Sequence, residues 1–456
     1  MTAISSEANK VGEQKPPQLP EWAVTAGSWI IPISLATIMA GQIFFAAIKF
    51  YWGIEHPAWL FWGLLVAGVA TAIVRGVASI KLTTLDIAMF SFVAVLVASS
   101  LVRGLGSPSK SLYYIAAFIL LPFLAGRLLD TGGITRFLKA IICIVFAAIP
   151  LVGIGLLNLP ESELKSDRIS TLFITYDSLS VAGVSTIPFV STAFGLLLVL
   201  MVSLGTSSNP KYWDWRLSLS SACMCIAIWF LMFVGTRGGV FSALLVSIVL
   251  LVVAHTSITR RIVLLLILLS AMAVSWTALP NERKAHFGQA SSIQKDADPI
   301  QKDEDSICNI YGNSPATRSH YYASALKLFL DSPWLGIGAS NYGFKYCGPS
   351  GAFISPHSIL LQVLAELGLS GAMTYLMLIG ITLYSLIKTM AHDTGQRLQI
   401  AWMLISIWLF FFLQDQMSGN YFTSFHFFAA TGLASGITAH QLSAPDVSDL
   451  NTVENG

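Results

Sequence analysis

The chain has 456 residues, of which 55% are hydrophobic and 11% charged, and its mean hydropathy is +0.70. A soluble fold could not cover this much apolar surface, so the composition excludes a soluble protein and predicts an all-α, polytopic membrane protein surrounded by membrane lipids. The formal net charge of only +2 excludes the strongly basic balance that is typical of nucleic-acid-binding proteins.

Windows of about twenty apolar residues predict about 12 transmembrane helices along the chain. The predicted spans are 24–48, 57–75, 84–102, 111–128, 135–158, 179–204, 216–235, 239–256, 262–280, 368–388, 399–415 and 423–439. No small-residue cleavage site accompanies the first span, so we interpret it as a retained helix and not as a signal peptide. An even number of spans places both termini on one side. The excess of Lys and Arg in the short connections on that side predicts it to be cytoplasmic.

This topology divides the chain into five regions. They are a cytoplasmic tail (1–22), spans one to nine (23–280), a large periplasmic loop (281–356), an interfacial helix with the last three spans (357–439) and a second cytoplasmic tail (440–456). Loops of such length are uncommon and often functional. Within the loop, the spacing of Tyr321–Leu330 predicts a helix, whereas 285–305 is polar and expected to be mobile.

Two of the cysteines, Cys308 and Cys347, fall in the periplasmic loop. In an oxidising periplasm a disulfide between them would restrain the loop, and two free thiols are the alternative. The other cysteines lie inside predicted spans, where we expect them to pack against neighbouring helices: Cys143, Cys223 and Cys225.

Motifs for metal and nucleotide binding do not stand out in the sequence. The eight histidines are scattered, and no Cys-x-x-Cys pair occurs, so no metal site is expected. The Gly336-Ile337-Gly338 segment lacks the strand-to-helix context of a nucleotide-binding loop, and we interpret it as a tight turn.

Two arginines on the periplasmic side are candidates for phosphate binding. Arg237 lies in Thr236-Arg237-Gly238-Gly239, between two predicted spans, where glycines let the backbone reverse tightly and leave room for a ligand. Arg318 precedes the predicted helix Tyr321–Leu330. The guanidinium fork matches phosphate oxygens, so two forks on one face suit a diphosphate. The alternatives are that Arg237 reaches lipid headgroups and that Arg318 is a solvated loop residue.

His357 places an ionisable side chain beside a hydrophobic segment, which is costly unless the residue faces water or protein. The preceding Ser355 and Pro356 predict a helix N-cap and first helical residue, so His357 would lie in the first turn, where backbone amides attract anions. The following residues predict an amphipathic interfacial helix that continues into a span. Its apolar stripe would be Leu360, Leu361, Val363, Leu364 and Leu367, with Gln362 and Glu366 one turn apart. An exposed loop histidine without a role is the alternative.

Three segments in this order resemble the O-antigen ligase family, which also contains many capsule and exopolysaccharide polymerases. They are Thr236-Arg237-Gly238-Gly239, the segment PWLGIGASNYGF behind Arg318, and PHSILLQVLAELGLSGAMTYLML, which begins at Pro356. The resemblance extends over roughly residues 180 to 385. It implies a GT-C-like membrane glycosyltransferase of the bacterial inner membrane, with an undecaprenyl-diphosphate-linked glycan as donor, transfer on the periplasmic face, and no metal, cofactor or nucleotide sugar.

The resemblance also implies roles for individual residues. Arg237 and Arg318 correspond to arginines that hold the donor diphosphate, and His357 to the histidine beside the acceptor hydroxyl. Arg168 resembles a further basic position, although the Asn that follows it in many members is not evident here. In the mechanism that we infer, His357 accepts the proton of the attacking hydroxyl and the arginines stabilise the leaving diphosphate, so that the donor configuration inverts.

The favoured interpretation is a ligase that transfers a finished glycan to lipid A-core. A polymerase that extends the glycan on the same carrier, and an enzyme that transfers it to a protein, would use similar donor chemistry. A transporter or channel is the alternative from another class. Such proteins usually place ionisable residues near the bilayer midplane and contain internal repeats, whereas the few charges in these spans, among them Asp86, Glu366 and Asp415, lie near span ends.

Overall fold

The structure is a computed structural model that describes residues 21–42, 44–45, 48, 58–74, 82–103, 112–157, 187–207, 215–234, 236–254, 256–281, 284, 315–347, 355–421 and 424–441. Within these ranges all regular structure is helical. The helices are α1 (Glu21–Ala40), α2 (Ala58–Val74), α3 (Thr84–Arg103), α4 (Leu112–Arg127), α5 (Thr131–Leu157), α6 (Ile187–Ser207), α7 (Trp215–Val234), α8 (Arg237–Val253), α9 (Ile258–Ala278), α10 (Pro315–Asp331), α11 (Tyr342–Cys347), α12 (Ile359–His392), α13 (Gly395–Ser418) and α14 (Phe425–Gln441).

The helices confirm an all-helical membrane protein. A helix lies in each segment that hydropathy assigns to a span, and α3, α5, α9, α12 and α13 are long and apolar enough to cross a membrane. Six others, α1, α2, α4, α6, α7 and α8, contain shorter apolar stretches. The number of twelve spans therefore stays a prediction. The segment 285–305 lies outside the described residues, and so do both predicted tails except for 21–22 and 440–441, which belong to α1 and α14.

The bundle has a buried centre and an apolar outer surface. Helices α6 and α13 pack against each other near the centre, and every residue of α6 from Ser191 to Val202 is buried. At the periphery, α9 exposes large apolar side chains that include Leu266 and Val274. A contiguous apolar surface of this kind is expected where a helix faces lipid.

Helices α4 and α14 pack through small residues. A Cβ on Gly432 would lie 2.1 Å from the Phe123 carbonyl oxygen, and one on Gly126 would lie 2.6 Å from the Ala429 carbonyl oxygen. Glycine is therefore required at both positions for the backbones to approach this closely, as in other membrane helix pairs with small residues at the contact. The contact fixes α14 against α4.

Helix α12 is broken at Gly368, which has φ 64 and ψ −158. The break interrupts the helical hydrogen bonds, and the preceding loop replaces them. Ile337 N donates to Ala365 O (3.0 Å) and Gly338 N to Glu366 O (2.9 Å). Pro333 O and Trp334 O accept from the two amides that follow Gly368, at 2.7 and 3.2 Å. This exchange satisfies backbone groups that a membrane environment would otherwise leave without partners.

The same loop confirms that Gly336-Ile337-Gly338 forms a turn. Both glycines have positive φ, 64° and 97°. A Cβ on Gly336 would lie 2.3 Å from the Glu366 carbonyl carbon, and one on Gly368 would lie 2.6 Å from Gly336 N. The PWLGIGASNYGF segment is therefore a backbone plug for the break in α12. Ser99 Oγ of α3 donates to Leu335 O and to Glu366 O, and so ties the plug to a third helix.

Candidate functional site

Arg237 is the first residue of α8, and its position is set by the residues around it. Thr236 is the N-cap: its Oγ1 accepts from Gly239 N at 3.1 Å, and its own N donates to Ser191 Oγ of α6 at 2.5 Å. A Cβ on Gly239 would lie 2.6 Å from Ser191 Cβ. Gly238 and Gly239 are thus helical, which corrects the expectation that they form a tight reversal. Gly239 instead lets α8 pack closely against α6, with the Arg237 side chain half-buried at the helix end.

Arg318 lies within α10 and not in the loop before it. The helix begins at Pro315, a residue whose fixed φ suits the first helical turn, so it starts earlier than the predicted Tyr321. Arg318 Nη1 donates to Met417 O of α13 at 3.0 Å. Its Nε is buried and has no hydrogen-bond partner among the described residues. A buried guanidinium N–H that lacks a protein acceptor is suited to an acceptor on a ligand.

His357 precedes α12 and adopts a left-handed backbone conformation with φ 57. The N-cap is Ser358 and the helix begins at Ile359, so the prediction of an N-cap at Ser355 and of His357 in the first turn is wrong. A non-glycine residue in this region is uncommon and requires stabilising contacts. The His357 ring is half-buried, and its centroid lies 5.8 Å from that of Tyr321, which lies one turn after Arg318 on α10. The two predicted residues therefore lie on neighbouring elements.

The end of α13 connects the elements that carry Arg237, Arg318 and His357. Met417 O accepts from Arg318, and Met417 Sδ accepts from Ser242 Oγ of α8 at 3.8 Å. Gln416 Oε1 accepts from Leu360 N at 3.2 Å, three residues beyond His357. We call these three predicted residues, together with Gln416 and Met417, the candidate site.

Gln414 extends the connection to α6. Its Nε2 donates to Thr192 Oγ1 at 2.9 Å, beside the serine that holds the start of α8. One turn of α13 therefore contacts the elements that position all three predicted residues, through Gln414, Gln416 and Met417. Sequence reasoning did not select this turn, although three polar residues, Gln414 to Gln416, at the end of an apolar helix are a recognisable signal of a buried polar site.

Glu366 is a second residue whose importance the sequence analysis did not recognise. Its side chain is 1% exposed, and its carboxyl oxygens accept from Ser340 N (2.9 Å), from Tyr342 N (3.0 Å) and from the Tyr421 hydroxyl. Gln362, one turn earlier and also buried, contacts the same carboxyl group. The polar side of this predicted amphipathic, interfacial helix therefore faces the protein interior.

The Glu366 contacts stabilise the loop and the short helix that follow α10. Ser340 and Tyr342 belong to the plug segment, and the Tyr342 hydroxyl donates to Tyr321 O at 2.9 Å. Burial is the main reason why the pKa of Tyr421 lies well above its usual range, and the neighbouring Glu366 carboxyl group raises it further. Tyr421 thus stays protonated and remains a donor. These contacts fix α10, and with it Arg318 and Tyr321, against α12.

Three predicted site residues lie wholly or partly outside the described part of the chain. Arg168 and Cys308 lie outside the described residues, and Cys347 ends α11 but its side chain is not described. The role of Arg168 and the Cys308–Cys347 disulfide therefore stay predictions. Cys223 is a free, buried thiol, as expected for a packing residue, whereas the free thiols of Cys143 and Cys225 are exposed at the bundle surface.

One family model matches part of the chain. Residues 222–376 match the family model described as O-antigen ligase, and this region contains Arg237, Arg318, His357 and Glu366. No curated protein is significantly similar to the chain. The match confirms the resemblance carried by the TRGG, PWLGIGASNYGF and PHSILLQ segments: residues 222–376 of this all-helical membrane protein are similar to the O-antigen ligase family.

Proposed function

We propose that this protein is a glycosyltransferase that moves a glycan from undecaprenyl diphosphate to the lipid A-core acceptor on the periplasmic face of the inner membrane. The observation that carries the proposal is the arrangement at the end of α13. There, one helix turn contacts the elements that carry two arginines and a histidine, all within the region that matches the ligase family. Two cations and a base suit transfer from a diphosphate carrier.

The arginines have the chemistry to bind the donor diphosphate. Arg318 uses one nitrogen on Met417 O and keeps a buried Nε for a ligand acceptor. Arg237 lies at the N-terminal end of α8, where the helix dipole also favours a negative charge. Guanidinium groups stay charged at every working pH, so these residues would stabilise the leaving diphosphate without a divalent ion.

His357 has the chemistry of the general base. In the proposed step, the acceptor hydroxyl oxygen forms a bond to the anomeric carbon while the bond from that carbon to the diphosphate oxygen breaks. The electron pair of the broken bond stays on the diphosphate, and the hydroxyl proton passes to the His357 imidazole. Attack from the face opposite the leaving group inverts the anomeric configuration, in a GT-C-like enzyme with both termini in the cytoplasm.

Reconstitution tests this function directly. The purified protein in liposomes is supplied with an undecaprenyl-diphosphate-linked oligosaccharide and with lipopolysaccharide that lacks O-antigen. We expect glycan-extended lipopolysaccharide to form, and to form equally in the presence of EDTA. Absence of product with this donor and acceptor would contradict the proposal, and loss of turnover with EDTA would contradict the metal-independent step.

A deletion strain distinguishes the ligase from the polymerase that shares its donor chemistry. Without a ligase, full-length glycans accumulate on the lipid carrier, and we expect this result. Without a polymerase, single repeats accumulate on the carrier or on lipid A-core. Lipid extraction and mass spectrometry of the carrier-linked glycans measure the difference, and accumulation of single repeats would replace the ligase with a polymerase.

A further inference from the structure

We infer that Gln416 is a positioning residue for His357. The inference rests on the proposed function, in which His357 accepts a proton, and it assigns the orientation of that imidazole to a side chain on α13. Gln416 lies outside the region 222–376 that matches the ligase family. The assignment depends on how α12 begins, on how the Gln416 amide is held, and on the backbone of His357.

Helix α12 begins without a cap from its own side chains. Its N-cap residue, Ser358, has an extended backbone and makes no side-chain capping hydrogen bond. Gln416 Oε1 performs this role from α13, because it accepts from Leu360 N at 3.2 Å and from Ser358 Oγ at 3.5 Å. The first amides of a helix require acceptors, so the start of α12 depends on this contact between helices.

The Gln416 amide is held at its other end as well. Its Nε2 donates to the Tyr375 hydroxyl at 3.4 Å, and Tyr375 is completely buried. Leu360 and Tyr375 lie on opposite sides of the break at Gly368. One side chain therefore contacts both halves of the broken helix, and this fixes the distance of the His357 turn from the bundle centre.

The backbone of His357 makes this support necessary. Its φ of 57 is in the left-handed region, which is unfavourable for a residue with a side chain. The peptide that follows belongs to Ser358, whose hydroxyl Gln416 binds. Without the Gln416 contacts, the His357 backbone would relax toward an ordinary φ, and its ring would move away from Tyr321.

The chain supplies two matched controls on the same helix. Gln396 lies at the opposite end of α13 and contacts Thr135 Oγ1 at 3.5 Å on an exposed surface. Gln414 lies two residues before Gln416, but its side chain supports α6 beside the start of α8. Replacement of each glutamine by methionine keeps the length of the side chain and removes the same two hydrogen-bonding groups.

The experiment measures glycan transfer from an undecaprenyl-diphosphate-linked oligosaccharide to O-antigen-free lipopolysaccharide by the full-length protein in liposomes. For Gln416→Met we expect kcat to fall about 100-fold, because displacement of a base by about 1 Å has an effect of this size, with little change in the donor KM. For Gln414→Met the donor KM should rise more than kcat falls, since it supports the Arg237 end of the site. Gln396→Met should behave as the unchanged protein.

Two further measurements separate positioning from a general loss of structure. Gln416→Glu keeps an acceptor for Leu360 N and Ser358 Oγ and accepts from the Tyr375 hydroxyl, so we expect it to recover most of kcat. The rate at which diethylpyrocarbonate modifies His357, followed by peptide mass spectrometry, should differ between Gln416→Met and the unchanged protein. The rate for the exposed His320 should be the same in both proteins.

The outcomes distinguish this inference from the proposed function. Absence of transfer by the unchanged protein would overturn the function itself. An active unchanged protein together with an unchanged kcat in Gln416→Met would overturn the positioning role alone. If Gln416→Met does not fold, Gln416→Glu decides: near-normal kcat supports the role, and a stable protein as inactive as His357→Ala overturns it.

Discussion

Two polar clusters of the bundle, one near the start of α3 and the other the candidate site, differ in how completely their hydrogen bonds are satisfied. Near the start of α3, Asp86 accepts from Arg127 Nε of α4 at 3.0 Å and from Ser435 Oγ of α14 at 2.7 Å. Thr83 and Asp86 also cap the helix reciprocally, with each backbone N–H bound by the other side chain, at 2.8 and 3.1 Å. We call Thr83, Asp86, Arg127 and Ser435 the Asp86 cluster.

The candidate site, reached from the other end of α3 through Ser99 and the plug, is built differently. Arg318 keeps a buried Nε without a partner among the described residues, and His357 has a left-handed backbone. Neither feature helps the protein to fold, because a buried unsatisfied donor and a left-handed backbone both cost free energy. A closed charge cluster stabilises a helix contact, and we propose that the incompletely satisfied candidate site binds a ligand.

His357→Ala gives the largest effect expected from this difference. Removal of a general base lowers kcat about 100- to 10,000-fold, while the thermal unfolding midpoint should hardly change because the ring is only half-buried. Transfer to O-antigen-free lipopolysaccharide measures the first quantity, and scanning fluorimetry in detergent the second. His392→Ala, at the far end of α12, is the control. A transfer-competent His357→Ala protein would contradict the assignment of His357 as the general base.

Asp86→Asn has the opposite signature. It leaves the Arg127 charge buried without its carboxylate, which costs about 3–5 kcal/mol of stability. Transfer activity per folded molecule should remain, since Asp86 lies far from the candidate site along α3. The double variant Asp86→Leu/Arg127→Met should regain most of the lost stability, because an apolar pair needs no charge compensation. A selective fall in kcat of Asp86→Asn, without loss of stability, would place function in the Asp86 cluster.

Glycine substitutions in α12 test whether the plug stabilises the break at Gly368. In Gly368→Ala the new Cβ would lie 2.6–2.7 Å from backbone atoms of Gly336, Trp334 and Pro333, at φ 64. We expect a loss of about 1–3 kcal/mol from backbone strain, increased by displacement of the plug, and a parallel loss of transfer. Gly380→Ala is the matched control, because no atom lies within 4 Å of its Cβ and φ is helical; it should stabilise the helix by about 0.5–1 kcal/mol. Equal unfolding midpoints in both variants would show that the plug does not hold the break.

The helices were largely predictable from the sequence, and the reason is physical. Backbone groups in lipid must be satisfied within the chain, so apolar windows of sufficient length have to form helices. The boundary predicted at residue 368, between an interfacial helix and a span, coincides with the break at Gly368. The turn at Gly336–Gly338 was also predictable, because two glycines so close together favour positive φ.

The supports of the site were not predictable, because they depend on long-range packing. Glu366 meets Tyr421, which is 55 residues away, and Gln416 meets Leu360, which is 56 residues away. No local pattern specifies such partners. The predicted start of the helix beside His357 was wrong for the same reason. Ser355-Pro356 is a reasonable local start signal, but the acceptor that caps α12 comes from α13.

Arg318→Lys has the smallest expected effect and tests the difference between the Asp86 cluster and the candidate site. The lysine keeps the positive charge but has only one side-chain nitrogen. That nitrogen cannot both bind Met417 O and replace the second donor that Arg318 provides with its unpaired Nε–H. Loss of one charged hydrogen bond to the donor corresponds to about 1.5–3 kcal/mol, so kcat/KM for the undecaprenyl-diphosphate-linked oligosaccharide should fall about 10- to 100-fold. Arg397→Lys, at the other end of α13, should leave it unchanged. Unchanged kcat/KM in Arg318→Lys would show that the buried Nε serves no ligand, and the two ends of the protein would then differ only in packing.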